Sequence, residues 1–161
     1  MPSRNIDDLC PAVADRCRRF IDECKRKGIP VIVTSTIRTE AEQCAYYMQG
    51  RKDLNTVNKY RREAGLPVIT QKENRIITKN RISIHEFECA FDVAVTKAGT
   101  VIWEIKADVN GNNIPDYEEI GIIGESLGLR WGGRFTFKDY CHFEYTGNLD
   151  IADLKDGDRP S

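Results

Sequence analysis

SIHEFECAFD, Ser83 to Asp92, runs from a polar turn into strict alternation, and that alternation sets the architecture. Past His85, the residues Cys89, Phe91, Val93 and Val95 share one face of an extended strand, while Ala90, Asp92 and Ala94 share the other. The first face is core. The second places a carboxylate between two alanines, an open spot on a buried strand where something must meet the charge. A second stretch, FKDYCHFEY (Phe137–Tyr145), repeats the pattern: Cys141, Phe143 and Tyr145 point one way, His142 and Glu144 the other. If the two strands are neighbours, His142 meets Asp92, and His85 closes the set from the preceding turn. Two histidines and one carboxylate are the donors of many catalytic zinc sites, whose fourth position is left to water. Asp139, three residues before His142, could then act as general base. Spacing alone leaves two readings open, a metal site or two ordinary polar patches.

Working outward, CAFDVAV (89–95) and TVIWEI (100–105) flank a Lys-Ala-Gly turn and predict a hairpin. An amphipathic helix is expected over 8–27, ending before Gly28. Cys10, Cys17 and Cys24 recur every seven residues on it and join Leu9, Val13, Phe20 and Ile21 in one apolar stripe. Cysteines strung along one helix face cannot bridge one another, and with no CxxC pair they read as small buried hydrophobes. IPVIVTSTI (29–37) reads as a buried strand. Thr39 and Glu42 stand at capping-box spacing before a helix that Gly50 terminates. A helix is expected over 115–129, a short one near 56–64, and a final strand in YCHFEY. The fold class that follows is α+β, a single domain with an antiparallel sheet and flanking helices. Its body spans 1–150, and 151–161 is expected as a polar C-terminal tail.

At 161 residues the chain is long enough to bury a core without staples. A formal charge of −1 gives no overall case for nucleic acid or an anionic surface. The segment 51–82 is locally basic, with nine Lys or Arg against three Asp or Glu. It reads either as a solvated insertion or as an anion-binding flank beside the cleft, and it lacks the aromatic interleaving of a single-strand nucleic-acid groove. No apolar run is long enough for membrane insertion. The first residues lack the apolar block of a signal peptide, so synthesis in the cytoplasm and action after release are expected, as a monomer.

A second metal pattern lies in DVNGNNIPDYEE (108–119). Asp108, Asn110, Asn112, Asp116 and Glu119 fall at positions 1, 3, 5, 9 and 12 of a twelve-residue calcium loop running into a helix. Asn113 occupies the sixth position, where the strict loop has glycine. The alternative is a polar turn capping the helix.

The spacing S-x-H-x(6)-D, followed by W-G-G-x-F-x-F-x-D-x-x-H-F-E, resembles the LAS-type zinc peptidases, which share a fold with Hedgehog and the D-Ala-D-Ala peptidases. The L-alanyl-D-glutamate endopeptidase branch, found among phage endolysins and bacterial cell-wall hydrolases, is the most similar. IRTEAEQCAYYMQGR (37–51) and ESLGLRWGG (125–133) extend the resemblance over about two-thirds of the chain. It implies Zn2+ ligands at His85, Asp92 and His142, and a catalytic base at Asp139. It also implies Arg38 as oxyanion donor and Ser83 as a hydrogen-bond partner of the substrate. Gln43 would stand on the substrate side or, with Glu144, orient its neighbours; Trp131, with Gly132 and Gly133, would shape the cleft wall or pack in the core. The substrate implied is the peptidoglycan stem peptide, cut between L-Ala and D-Glu. A D-Ala-D-Ala carboxypeptidase or a wall-peptide-binding module that does not cut are the alternatives. Two departures stand out: Glu88 where the family has glycine, and Cys141 where it has proline.

Overall fold

The computed structural model describes residues 2–161. Its elements in chain order are α1 (Pro11–Arg26), β1 (Val31–Ser35), α2 (Glu40–Met48), α3 (Leu54–Glu63), β2 (Ala90–Lys97), β3 (Thr100–Ile102), α4 (Asp116–Ser126), β4 (Arg130–Trp131), β5 (His142–Glu144) and α5 (Ile151–Lys155). Among the described residues no helix is long and apolar enough to cross a membrane.

The sheet is built around β2. One edge of β2 pairs with β1, and the other carries β5 at its start and β3 at its end; β4 continues the sheet beyond β5. Every pairing is antiparallel. The β2–β3 turn has Ala98 at φ 50° and Gly99 at φ 78°, the left-handed pair of a two-residue hairpin. β3 stops at Ile102 and leaves Trp103 exposed, shorter than the strand expected over 100–105.

α1 lies on the core face of the sheet. Proline opens its first turn, and Lys25 and Arg26 close its last, where cations complement the helix dipole. Cys10, Val13, Cys17, Phe20 and Cys24 are all buried, so the seven-residue stripe is the packing face. Burial pushes the Cys17 thiol up to about 12, which keeps it a neutral hydrophobe. Phe20 meets the Phe91 ring of β2 at 5.8 Å and the Phe143 ring of β5 at 4.6 Å. Burying each such ring contributes about 1.5–3 kcal/mol. α4 reaches the same core through small residues: a Cβ on Gly121 would stand 2.4 Å from the Trp131 ring, and one on Gly124 2.5 Å from Phe143. This close approach is why glycines sit at helical spacing there.

The basic segment is stapled to the body by its own polar residues. Arg61 donates to Pro67 O and Gln49 Oε1, Arg51 to Thr78 O, and Asn58 exchanges two bonds with the Ile69 backbone. Its last part, 77–82, with Ser83 and Ile84 after it, lines one side of the cleft that holds His85. The final residues do not behave as the polar tail expected of 151–161. Asp150 and Asp153 cap α5 reciprocally, Leu154 is buried in the core, and Arg159 reaches back to Glu88.

Candidate active site

His85 lies on the short 3-10 turn Ile84–Phe87, which Ser83 caps while Glu86 returns the bond to the Ser83 amide. The His85 ring is buried, and its Nδ1–H donates to Thr36 O at 2.6 Å. That bond fixes the tautomer and leaves the Nε2 lone pair facing inward. His142 uses the opposite nitrogen. Its Nε2–H donates to Glu144 Oε1 at 2.8 Å, so Nδ1 faces inward. The β2–β5 register sets Asp92 directly opposite His142, and Asp92 Oδ1 stands 3.3 Å from both His85 Nε2 and His142 Nδ1.

His85 Nε2 and Asp92 Oδ1 are buried atoms without a hydrogen-bond partner. Two lone pairs 3.3 Å apart in a dry pocket repel unless a cation lies between them. All three donor atoms lie within 4.8 Å of one another, the span of one ion's shell. The residues therefore fit a metal. Charges agree: burial opposes ionisation of Asp92, but the two histidines outweigh it and hold the carboxyl far below the usual range. Burial likewise opposes charge on His142, and its bonds to Asp92 and Glu144 push it up to about 10. Without metal, a proton stands in for the cation.

This set floors a cleft of about 650 Å3, lined among others by Arg38, Ser83, Phe135 and Asp139. Asp139 opens to solvent at its mouth, where desolvation by the surrounding protein and then the Asp92 charge push its carboxyl upward. The turn that carries it needs Gly132, because a Cβ there would meet Asp139 O at 2.2 Å. Arg38 donates its own N–H to His85 O and lies 3.9 Å from Asp92, with its buried Nε lacking a partner. The Arg38 side chain lines the cleft, where a guanidinium suits a charge that develops only during reaction.

Of the two readings open for Gln43 and for Trp131, the geometry agrees with the one behind the cleft. Gln43 is fully buried; its Oε1 accepts from Arg38 at 2.9 Å and its Nε2 donates to Asn80 O at 2.6 Å, so it positions Arg38. Trp131 is buried against Gly121 and Gly133, donating to Tyr140 O at 3.0 Å beneath the turn that holds Asp139. Residues that sequence reasoning did not single out line the cleft: Phe135 packs 5.7 Å from His142, with the Arg130 guanidinium 4.6 Å above its ring. The register of β4 against β5 sets Arg130 opposite Glu144, and the turn after β4 brings Phe135 to His142.

The 108–119 loop is not part of this cleft. Among the described residues, only His85, Asp92 and His142 gather three His, Cys, Asp or Glu donors within 4.8 Å. The expected calcium loop therefore does not bring its three carboxylates together in the same way. Asp108 accepts from the Asn112 and Asn113 amides, and Glu119 accepts from the Asn110 and Asn112 side chains.

A buried His2Asp donor set under a polar cleft, with a carboxylate and a guanidinium at hand, defines a metal-dependent hydrolase. Residues 77–145, which include all three donors and Asp139, match the family described as D-alanyl-D-alanine carboxypeptidase. Peptidoglycan L-alanyl-D-glutamate endopeptidase CwlK of Bacillus subtilis (strain 168) is 32% identical over 145 residues, covering 88% of this chain and 75% of that one. The chain belongs to the family of peptidoglycan metallopeptidases that contains CwlK. The crystal structure of the Serratia marcescens L-Ala D-Glu endopeptidase ChiX has the same fold, with a TM-score of 0.54 at 20% identity over 91% of this chain and 89% of that one.

Proposed function

We propose that the protein is a zinc peptidase that hydrolyses the L-Ala–D-Glu bond of peptidoglycan stem peptides. The observation that carries the metal is the pair of orphaned, facing acceptors, His85 Nε2 and Asp92 Oδ1, beneath an open cleft. Kinship to CwlK supports the bond. Zinc held by His85 Nε2, Asp92 and His142 Nδ1 would polarise the scissile carbonyl and bring the pKa of water toward neutrality. Asp139, raised above an ordinary carboxyl, is matched to holding the proton released by the attacking water and passing it to the leaving amine. Arg38, steadied by Gln43, donates to the oxyanion. Ser83 lines the cleft next to His85, within reach of the peptide backbone. Thr36 O and Glu144 hold the two imidazoles in the tautomers the metal needs.

The test is digestion of purified peptidoglycan with zinc-loaded protein, beside a chelator-treated control, with products identified by mass spectrometry. New N-terminal D-Glu that disappears with chelator is the expected result. Released free D-Ala would transfer the activity to the carboxypeptidase that the family description names. No product from any wall, with zinc bound, would leave a wall-peptide-binding module.

A further inference from the structure

Cys10 and Cys89 form a pair that the peptidase chemistry does not use. Both are buried, and their sulfurs stand 4.0 Å apart although 79 residues separate them in the chain. Cysteines along α1 cannot reach one another, but this contact runs between elements: Cys10 immediately precedes α1 and Cys89 immediately precedes β2. The backbones are equally close. The Cys10 amide donates at 3.0 Å to Glu88 O, the carbonyl directly before Cys89. Both residues are free thiols, and the Cys89 Sγ–H donates to Phe87 O at 3.1 Å.

A disulfide needs its sulfurs at about 2.05 Å, a closure of about 2 Å from the contact seen. Small rotations of the two side chains supply it while the Cys10–Glu88 bond holds the backbones together. The thiols also differ in acidity. The hydrogen bond with Cys89 holds Cys10 below an ordinary thiol against the opposing effect of burial, and the Val13 amide and the Arg159 charge add to it. The same bond and then burial push Cys89 upward. Cys10 is thus the nucleophile of the pair, and Cys89 the thiol that resolves it. Cys17 and Cys24, buried in the core, are pushed upward and stay inert.

We propose that Cys10 and Cys89 are an oxidation site that a peroxide closes into a disulfide. The Cys10 thiolate attacks one peroxide oxygen, the O–O bond breaks, and the departing hydroxide takes up the proton that Cys10 released. The Cys89 sulfur then attacks the sulfenic sulfur of Cys10, the S–O bond breaks, and the leaving hydroxyl takes the Cys89 proton. In sum, the two thiols lose two electrons and two protons, and one peroxide becomes two waters. The bond would tie the start of α1 to β2 where the His85 turn enters the sheet, closing a ring that contains α1, β1, α2, α3 and that turn. A reducing cytoplasm keeps the pair open, and oxidising surroundings close it. If the substrate is the cell wall, as proposed above, the lock forms where the enzyme works; the bond itself does not rest on that reading.

The experiment treats zinc-loaded, full-length protein with hydrogen peroxide, alkylates it under denaturing conditions and maps its peptides by mass spectrometry, with thermal unfolding before and after. The expected result is a Cys10–Cys89 crosslinked peptide and a rise in Tm of about 5–10 °C that a reductant reverses. Cys10→Ser and Cys89→Ala should each lose both the crosslink and the rise, while Cys44→Ser, at a half-buried position, keeps them. Should either pair variant fail to fold, the wild-type map and its reversible rise decide alone. A crosslink between other cysteines, sulfinic acid at Cys10 without a crosslink, six thiols still free after treatment, or a crosslink that leaves Tm unchanged or lower would each overturn the proposal. Zinc-dependent hydrolysis is measured separately, so either reading can fail without the other.

Discussion

The active-site cluster and the 108–119 loop contrast in how they hold their polar side chains. At the active site, side chains from three separate segments converge because strand register places them there. Asp92 faces His142 across β2 and β5, and His85 drops in from a capped turn. The donors are mixed nitrogen and oxygen, dry, and only about one ion apart. In the 108–119 loop the carboxylates and amides come from one continuous segment and bond to one another and to nearby backbone amides. The lesson is that the sheet holds the first set of donors together with inward-facing atoms unpaired, whereas the loop uses its polar groups on itself. The first is left free for a metal and its chemistry; the second fastens structure.

The largest effect should come from breaking the convergence. His142→Ala removes a donor and leaves Asp92 and Glu144 without their shared partner, so zinc content and peptidoglycan hydrolysis should both fall to background. Metal analysis of the purified variant beside wild type checks this, and a variant retaining stoichiometric zinc would break the contrast with the loop. Next in size is Asp139→Asn, which touches no donor atom: turnover should fall about 10²- to 10⁴-fold with zinc retained. Arg38→Ala should cost about 10²- to 10³-fold in kcat, again with the metal in place. Near-wild-type turnover in Asp139→Asn would remove that residue from the proton path.

A third effect is the pH dependence of metal binding at the active site. In the metal-free protein His142 is raised to about 10, so at neutral pH it carries a proton that zinc must displace. Deprotonation becomes easier as pH rises, so apparent zinc affinity should increase about tenfold per unit between pH 7 and 9, with about one proton released per ion. Calorimetry in buffers of different ionisation enthalpy reads that proton directly. A flat zinc profile would mean that His142 is neutral before metal arrives.

Much of this was legible in the sequence wherever a period carried it. The seven-residue cysteine stripe marks the buried face of α1, and alternation through Asp92 and His142 places both on one face of the sheet. What sequence left undecided was which way an isolated side chain near a motif points. Gln43 and Trp131 lie within motif segments, yet each faces inward because distant groups, Asn80 O and Tyr140 O, take their polar atoms. The closing segment misled for a related reason: one leucine in a charged run carries no periodicity, yet Leu154 fills a gap beside the turn that holds His85. Arg130 and Phe135 stand in quoted motifs, but their place on the cleft was not legible because β4 is two residues long and carries no period.

The smallest expected effects test whether the residues that depart from a glycine pattern matter. Glu88, at φ 62°, follows the turn that bears His85, and Asn113, at φ 63°, bends the 108–119 loop. A left-handed glutamate costs about 1–2 kcal/mol, while glycine costs about 0.5–1 kcal/mol in chain entropy. Glu88→Gly also loses the Arg159 contact at 3.4 Å, a partly exposed pair worth about 0–1 kcal/mol. These nearly cancel, so Glu88→Gly should stay within about 1 kcal/mol of wild type by denaturant unfolding, with zinc affinity unchanged. Asparagine tolerates the left-handed region better, so Asn113→Gly should move stability less. A tenfold loss of zinc affinity in Glu88→Gly would show that the C-terminal clamp through Arg159, and not strand register alone, sets the donor geometry. The active site would then depend on the closing segment as well as on the sheet.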